Sequence, residues 1–149
     1  MNDEAIYRSL AADLTRYATA LAGPDEAADI VATVVTRTLA RRGGLAGLRE
    51  PRPYLMRAVL NEVRSRHRTR TRRPLVTLAE GGDPAVWEEP DLVLELVEDL
   101  PPRQRAAAFL VYWQGCTPTE AADLMGCRPG TVRRYLHLAR RKLEEALRE

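Results

Sequence analysis

Apolar side chains recur at three- and four-residue steps along most of the chain, the period of a helix that buries one stripe. Ile6, Leu10, Leu14, Tyr17, Ala18 and Leu21 form the first stripe, and Gly23-Pro24 ends it. Asp25 is the expected N-cap of a second helix, which carries Ala28, Ile30, Val31, Val34, Val35 and Leu39 and runs out in Arg41-Arg42. The glycines and prolines of RGGLAGLREPR mark a loop, and a third helix is predicted to start near Pro53, because proline suits a first helical turn. It buries Leu55, Val59, Leu60 and Val63 and enters the basic run RSRHRTRTRR. Residues 74–91 are aperiodic, with three prolines and Gly81-Gly82, and read as a linker. Helical pattern resumes over Leu92–Leu100, stops at Pro101-Pro102, returns over Arg103–Gln114, and ends in a short helix, Gly126 and a long final helix. No strand signal of any length occurs. The expected fold class is therefore all-α: two small helical bundles, 1–73 and 92–149, joined by a flexible acidic linker, 74–91.

The C-terminal pattern has the layout of a helix-turn-helix. Thr117 is placed to cap the first helix, and Glu120, three residues on, completes a capping box. Ala121, Ala122, Leu124 and Met125 give that helix a narrow inner face, and Gly126 supplies the turn. The second helix puts Val132, Leu136, Ala139, Leu143 and Leu147 on one stripe, with Arg128, Arg133, Arg134, His137, Arg140 and Arg141 opposite. A helix entering the major groove needs one face for its own core and long donors near its N-terminus for base edges and phosphates. The bland alternative is a solvated basic face favoured by the helix dipole.

Charge sharpens this division. Residues 1–74 hold 14 basic and 8 acidic side chains, residues 75–102 hold 8 acids and no base, and residues 103–149 hold 9 bases and 5 acids. Two basic modules flanking an acidic strap suggest different partners for each part. The single lysine, Lys142, speaks of codon bias towards arginine, but bias does not explain the blocks. Trp87, alone in the acidic tract, reads equally as an anchor on a neighbouring surface or as a lid over the second core. Cys116 and Cys127 are too few for a disulfide framework and lack metal-ligand spacing with His67 and His137, so buried small hydrophobes are expected, with no metal and no cofactor. No apolar run is long enough for a bilayer, and the acidic N-terminus lacks a secretory pattern, so a cytoplasmic protein without a membrane role is expected. Neither a nucleophile–base set nor paired carboxylates nor a phosphate-cradling loop appears; the expectation is a non-enzyme with no small-molecule substrate.

The run DLVLELVEDLPPRQRAAAFLVYWQGCTPTEAADLMGCRPGTVRRYLHLARRKLEEAL closely resembles region 4 of the sigma-70 superfamily, above all the extracytoplasmic-function (group 4) sigma factors of bacteria. Asp99-Leu100-Pro101-Pro102-Arg103-Gln104-Arg105 and Gly130-Thr131-Val132-Arg133 carry the resemblance. More loosely, PDEAADIVATVVTRTLA is similar to region 2.1–2.2, and PRPYLMRAVLNEVRSRHRTR to regions 2.3–2.4. The resemblance implies a protein that binds core RNA polymerase and directs it to promoter DNA to start transcription. It implies a grip on the β′ clamp helices through the second helix, at Asp29, Ala32 and Thr33, and a seat for the C-terminal module on the β flap. It implies −35 readers Arg128, Pro129, Gly130, Arg133, Arg134 and His137. For the −10 element it implies Arg57, Asn61 and Arg64, with Leu45, Leu48 and Tyr54 around a flipped base in the loop Gly43–Arg52. An anti-sigma factor is a further partner that this architecture admits.

Several positions depart from the family pattern. Ala32-Thr33 stands where Gln-Glu is usual, Tyr54 where tryptophan is usual, and the glycine-rich loop lacks an aromatic. Arg128 replaces a Ser/Thr helix cap, giving up roughly 1 kcal/mol of helix stability for one more cation. Asn61 has a plain reading as a surface residue, Tyr54 as core packing, and Asp29 as support for its helix through the dipole. Two other functions stay open at this point: a stand-alone helix-turn-helix regulator, and a sigma-like adaptor that binds polymerase without melting DNA.

Overall fold

Asn2 starts the first helix: its side-chain Oδ1 accepts the Ala5 N–H at 2.8 Å, and α1 runs Asp3–Ala22. The structure, a computed structural model, describes residues 2–72 and 99–148. Helix α2 follows at Pro24–Leu39, α3 at Pro51–Arg72, α4 at Pro102–Ala108, α5 at Pro118–Met125 and α6 at Pro129–Arg148. Among the described residues there is no strand, as the hydrophobic period requires. The linker, Trp87 and residues 92–98 of the expected fourth helical stretch lie outside the described residues.

Helix ends differ from the sequence reading by a few residues, for local reasons. Gly23, not Asp25, is the N-cap of α2, because Pro24 with its fixed φ fits the first helical position and starts the helix early. Asp25 then lies in the first turn, where its charge suits the dipole. The helix ends at Leu39 rather than at Arg42, and Leu39 and Ala28 are exposed while Ala27 and Thr38 take the inner positions. Thr38 is tolerated there because its hydroxyl donates to the Val34 carbonyl at 2.8 Å. Helix α3 starts at Pro51, two residues before Pro53. The Arg103–Gln114 piece divides into α4 and a π-helical turn, Phe109–Trp113, closed by the Gln114 N–H on the Phe109 carbonyl at 3.0 Å. Leu147 leaves the predicted stripe and is exposed, since α6 has run past the bundle by then.

Helices α1, α2 and α3 pack on one another, and the helix-turn-helix of α5 and α6 packs on α4. The two modules are also packed together: α3 lies against α4 and α5, and α1 against α4. Leu14, Tyr17, Ile30, Leu55 and Val59 from the first module and Leu110, Ala121 and Val132 from the second belong to one continuous buried cluster. Tyr17 and Phe109 meet across the seam with ring centroids 6.1 Å apart. Burial of each large aliphatic side chain in such a core stabilises it by roughly 1.5–3 kcal/mol.

Candidate nucleic-acid interface

The helix-turn-helix is built by local chemistry. The Thr117 hydroxyl accepts the Glu120 N–H at 3.1 Å and the Glu120 carboxylate accepts the Thr117 N–H at 3.2 Å, the reciprocal box that starts α5. Gly126 ends α5 in the left-handed region at φ +73, and the Cys127 N–H reaches the Ala122 carbonyl at 3.0 Å. The Arg128 carbonyl then accepts from Thr131 at 2.9 Å and Val132 at 3.2 Å, opening α6. Val132, Leu136 and Ala139 are buried. Arg128, Gly130, Arg133, Arg134 and His137 are exposed on the opposite face, with Pro129 half-buried beside them. The structure thus brings all six sequence-predicted residues together, Arg128 just before α6 and the other five in its N-terminal half. Arg140, further along, is held: it donates to the Tyr112 hydroxyl at 2.7 Å and lies over that ring at 5.7 Å.

The second candidate set is divided. Arg57, Asn61 and Arg64, on successive turns of α3, line one solvent-open cavity of about 410 Å³ together with Arg103, Gly126, Thr131 and Tyr135. Burial lowers the basicity of Arg64, and the neighbouring charges of Arg103 and Arg68 lower it further. Tyr54 faces a different groove, of about 290 Å³, which it shares with Asn61 and Arg41. Arg41 donates to the Tyr54 hydroxyl and lies over its ring at 5.0 Å. Leu48 is half-buried against the core, whereas Leu45 is wholly buried in it, away from any incoming base. The loop holding Leu45 is tied down by Asp3, which accepts the Ala46 N–H at 2.8 Å and lies so close to Gly44 that a Cβ there would meet its carboxylate at 2.7 Å.

On α2, Asp29 and Ala32 are exposed and Thr33 is half-buried. Arg66 of α3 joins two of them, pairing with Asp29 at 2.7 Å and donating to the Thr33 hydroxyl at 3.2 Å. Glu62 anchors Arg66 at 3.0 Å and Arg37 at 2.7 Å. Burial alone would push the Glu62 carboxyl up, but hydrogen bonds from Arg66 and Arg37, with their charges, hold it below the usual range. Cys116 and Cys127 are free and half-buried, and burial pushes both thiols up, which favours the neutral form of a small apolar residue.

The chain that carries these two basic faces is similar to known proteins. The family model for sigma-70 region 4 matches residues 91–143. The RNA polymerase sigma-E factor of Streptomyces avermitilis is 30% identical over 129 residues, covering 83% of this chain and 72% of that protein. The chain belongs to the extracytoplasmic-function sigma factors. The sigma-E factor of Streptomyces coelicolor is similar to the same degree, 30% identical over 129 residues and 73% of its length. A co-crystal structure of the sigma factor RpoE in complex with the anti-sigma factor NepR from Bartonella quintana shares the fold, with a TM-score of 0.70 at 24% identity over 97% of this chain and 96% of that one. The function of this sigma factor lies in transcription initiation, in keeping with its DNA-binding motif. Among the described residues no helix is long and apolar enough to cross a membrane.

Several residues that adjoin these candidate positions carry little or no signal in the sequence. Arg66, Glu62 and Arg37 arrange Asp29 and Thr33; only the Glu62–Arg66 spacing of one turn was a readable signal. Thr131, Tyr135 and Arg103 face the Arg57–Arg64 cavity from the other module, and Arg103 donates to the Tyr135 hydroxyl at 3.3 Å. No linear pattern announces contacts between segments that far apart in the chain.

Proposed function

We propose that this sigma factor binds core RNA polymerase and directs it to promoters by reading a −35 element through α6 and a −10 element through α3. The observation that carries the reading is the outer face of α6: Arg128, Arg133, Arg134 and His137 exposed together at the N-terminal half of a helix whose other side is core. Arginine forks match guanine edges and phosphates, and the N-terminus of the helix favours the phosphate backbone. Pro129 and Gly130 keep the start of the helix slim, so that the backbone approaches the groove. Arg57, Asn61 and Arg64 on α3 would meet the −10 element, with Tyr54 and Leu48 beside the displaced base. Asp29, Ala32 and Thr33 would meet the β′ clamp helices, and the C-terminal module the β flap. The chain itself performs no chemistry in this reading; catalysis belongs to the polymerase, in the cytoplasm. An anti-sigma factor is a further partner in this proposal, on the model of the Bartonella quintana complex.

Run-off transcription with purified core polymerase on a genomic promoter library tests the proposal. Specific transcripts that depend on this chain are the expected result. Absence of transcripts with sequence-specific duplex binding by the chain alone would favour a separate helix-turn-helix regulator. Inhibition of another sigma factor without transcripts of its own would favour an adaptor that does not melt DNA, the outcome that Ala32-Thr33 and the aromatic-poor loop would explain.

A further inference from the structure

The basic run at the end of α3 is divided by the helix period. Arg64 and Arg68, one turn apart, line a cavity with Pro101, Pro102 and Arg103 of the second module. Arg66 and Arg70, also one turn apart, meet α2 instead. Two residues along a helix is about 200° around it, so the two pairs serve different sides. Arg70 pairs with Glu26. Arg66 holds three groups at once. Its Nε donates to the Glu62 carboxylate at 3.0 Å, while Nη2 pairs with the Asp29 carboxylate at 2.7 Å and donates to the Thr33 hydroxyl at 3.2 Å. Glu62 is gripped in turn by Arg37 at 2.7 Å. The Arg66 side chain is 26% exposed, whereas that of Asp29 is 71% exposed.

We propose that Arg66 is a positioning residue for core polymerase and not a DNA contact: its fork fixes Asp29 and Thr33 in the arrangement that α2 offers to the enzyme. The proposal rests on the reading of Asp29, Ala32 and Thr33 as the polymerase-binding residues. An ion pair with so exposed a carboxylate adds little to stability, so its consequence is geometric. An unheld aspartate on a helix surface samples several rotamers, and ordering it is part of what association costs. The guanidinium is planar and its N–H groups keep fixed directions. Anchored on a nearly buried Glu62, it dictates where the Asp29 carboxylate and the Thr33 hydroxyl sit before any partner arrives. Lysine, a single ammonium on a flexible stem, cannot span the same three groups. The commitment also takes Arg66 away from DNA, because its donors are turned to α2 and to Glu62. The run RSRHRTRTRR, uniform in charge, thus serves two partners from two sides of one helix.

Equilibrium titration of the fluorescently labelled full-length chain with core polymerase tests this, together with the salt dependence of promoter binding by the saturated holoenzyme. The variants are Arg66→Met, Arg66→Lys, Asp29→Ala, the double variant Arg66→Met with Asp29→Ala, and Arg70→Met. Arg70→Met removes the same charge from the same run but touches no assigned residue. Circular dichroism checks the helix content of each, and Arg66→Lys keeps the test open if Arg66→Met folds poorly. Arg66→Met is expected to bind core more weakly by on the order of fivefold, Arg66→Lys by less, and Arg70→Met as wild type does. The double variant is expected to be no weaker than Asp29→Ala alone, since Arg66 acts through Asp29. The salt slope of promoter binding is expected to stay unchanged in Arg66→Met. Weakening by Asp29→Ala without weakening by either Arg66 variant would overturn the proposal, as would additive losses in the double variant. A salt slope lower by about 0.9 would also overturn it, by making Arg66 a phosphate contact. Wild-type affinity in Asp29→Ala would instead overturn the reading of Asp29 on which the proposal rests.

Discussion

Glu62 lies between two guanidiniums, Arg37 on α2 and Arg66 one turn along α3, and its side chain is only 10% exposed. Its carboxyl is held below the ordinary range in the folded chain, so its stabilising effect is fully present above the unfolded pKa. That contribution fades as the pH falls through the lowered folded value. Urea denaturation from neutral pH down to about pH 3 is expected to show this acid limb. Glu62→Gln is expected to flatten it and to cost about 1–2 kcal/mol at neutral pH; an unchanged acid limb would count against the assignment. Tyr17 gives the opposite case. Its hydroxyl is buried and has no hydrogen-bond partner among the described residues, and burial pushes its pKa above the usual range. Tyr17→Phe keeps the ring and removes the unpaired group, so thermal unfolding should show stability unchanged or raised by up to about 1 kcal/mol. A clear loss would reveal a bond to the hydroxyl. The apolar stripe made Tyr17 legible as core, whereas its position at the seam, like the Arg66–Asp29 pair, depends on contacts between distant segments that no local pattern encodes.

At the scale of elements, the helices that cap themselves were the most legible. The α5 capping box and the Gly126 turn rest on interactions within a few residues, so they stood plainly in the sequence. The start of α2 was displaced because two start signals competed, Pro24 and Asp25, and the proline acts first. The resemblance puts Leu45 beside a flipped base, but the Asp3 tether draws its loop onto the bundle and Leu45 is wholly buried. The recognition helix carries the sharpest test at this scale. If Arg133 and Arg134 read base edges, Arg133→Ala and Arg134→Ala each weaken use of the preferred promoter by about 1–3 kcal/mol and relax selectivity at single −35 positions. Competition transcription between matched promoter variants measures this. Uniform loss on every promoter, with a salt slope lower by about 0.9 per contact, would make them phosphate contacts instead.

Across the whole molecule, charge is arranged by module: basic on both helical parts and acidic over residues 75–102. The all-α class and the two-module plan followed from hydrophobic period and composition, which are properties of single segments. The shared core did not, because each module has an apolar face of ordinary size and nothing in either one marks the other as its cover. In the proposed reading both basic faces serve a larger enzyme, since a few phosphate and base contacts on each are expected to hold a promoter only weakly at physiological salt. As proposed, this sigma factor works as the specificity subunit of RNA polymerase. Size-exclusion chromatography of the full-length chain with core polymerase stripped of its own sigma subunit tests it most directly. Co-elution in one stoichiometric peak is the predicted result; elution of the chain in its own later peak, with the polymerase unchanged, would contradict the account.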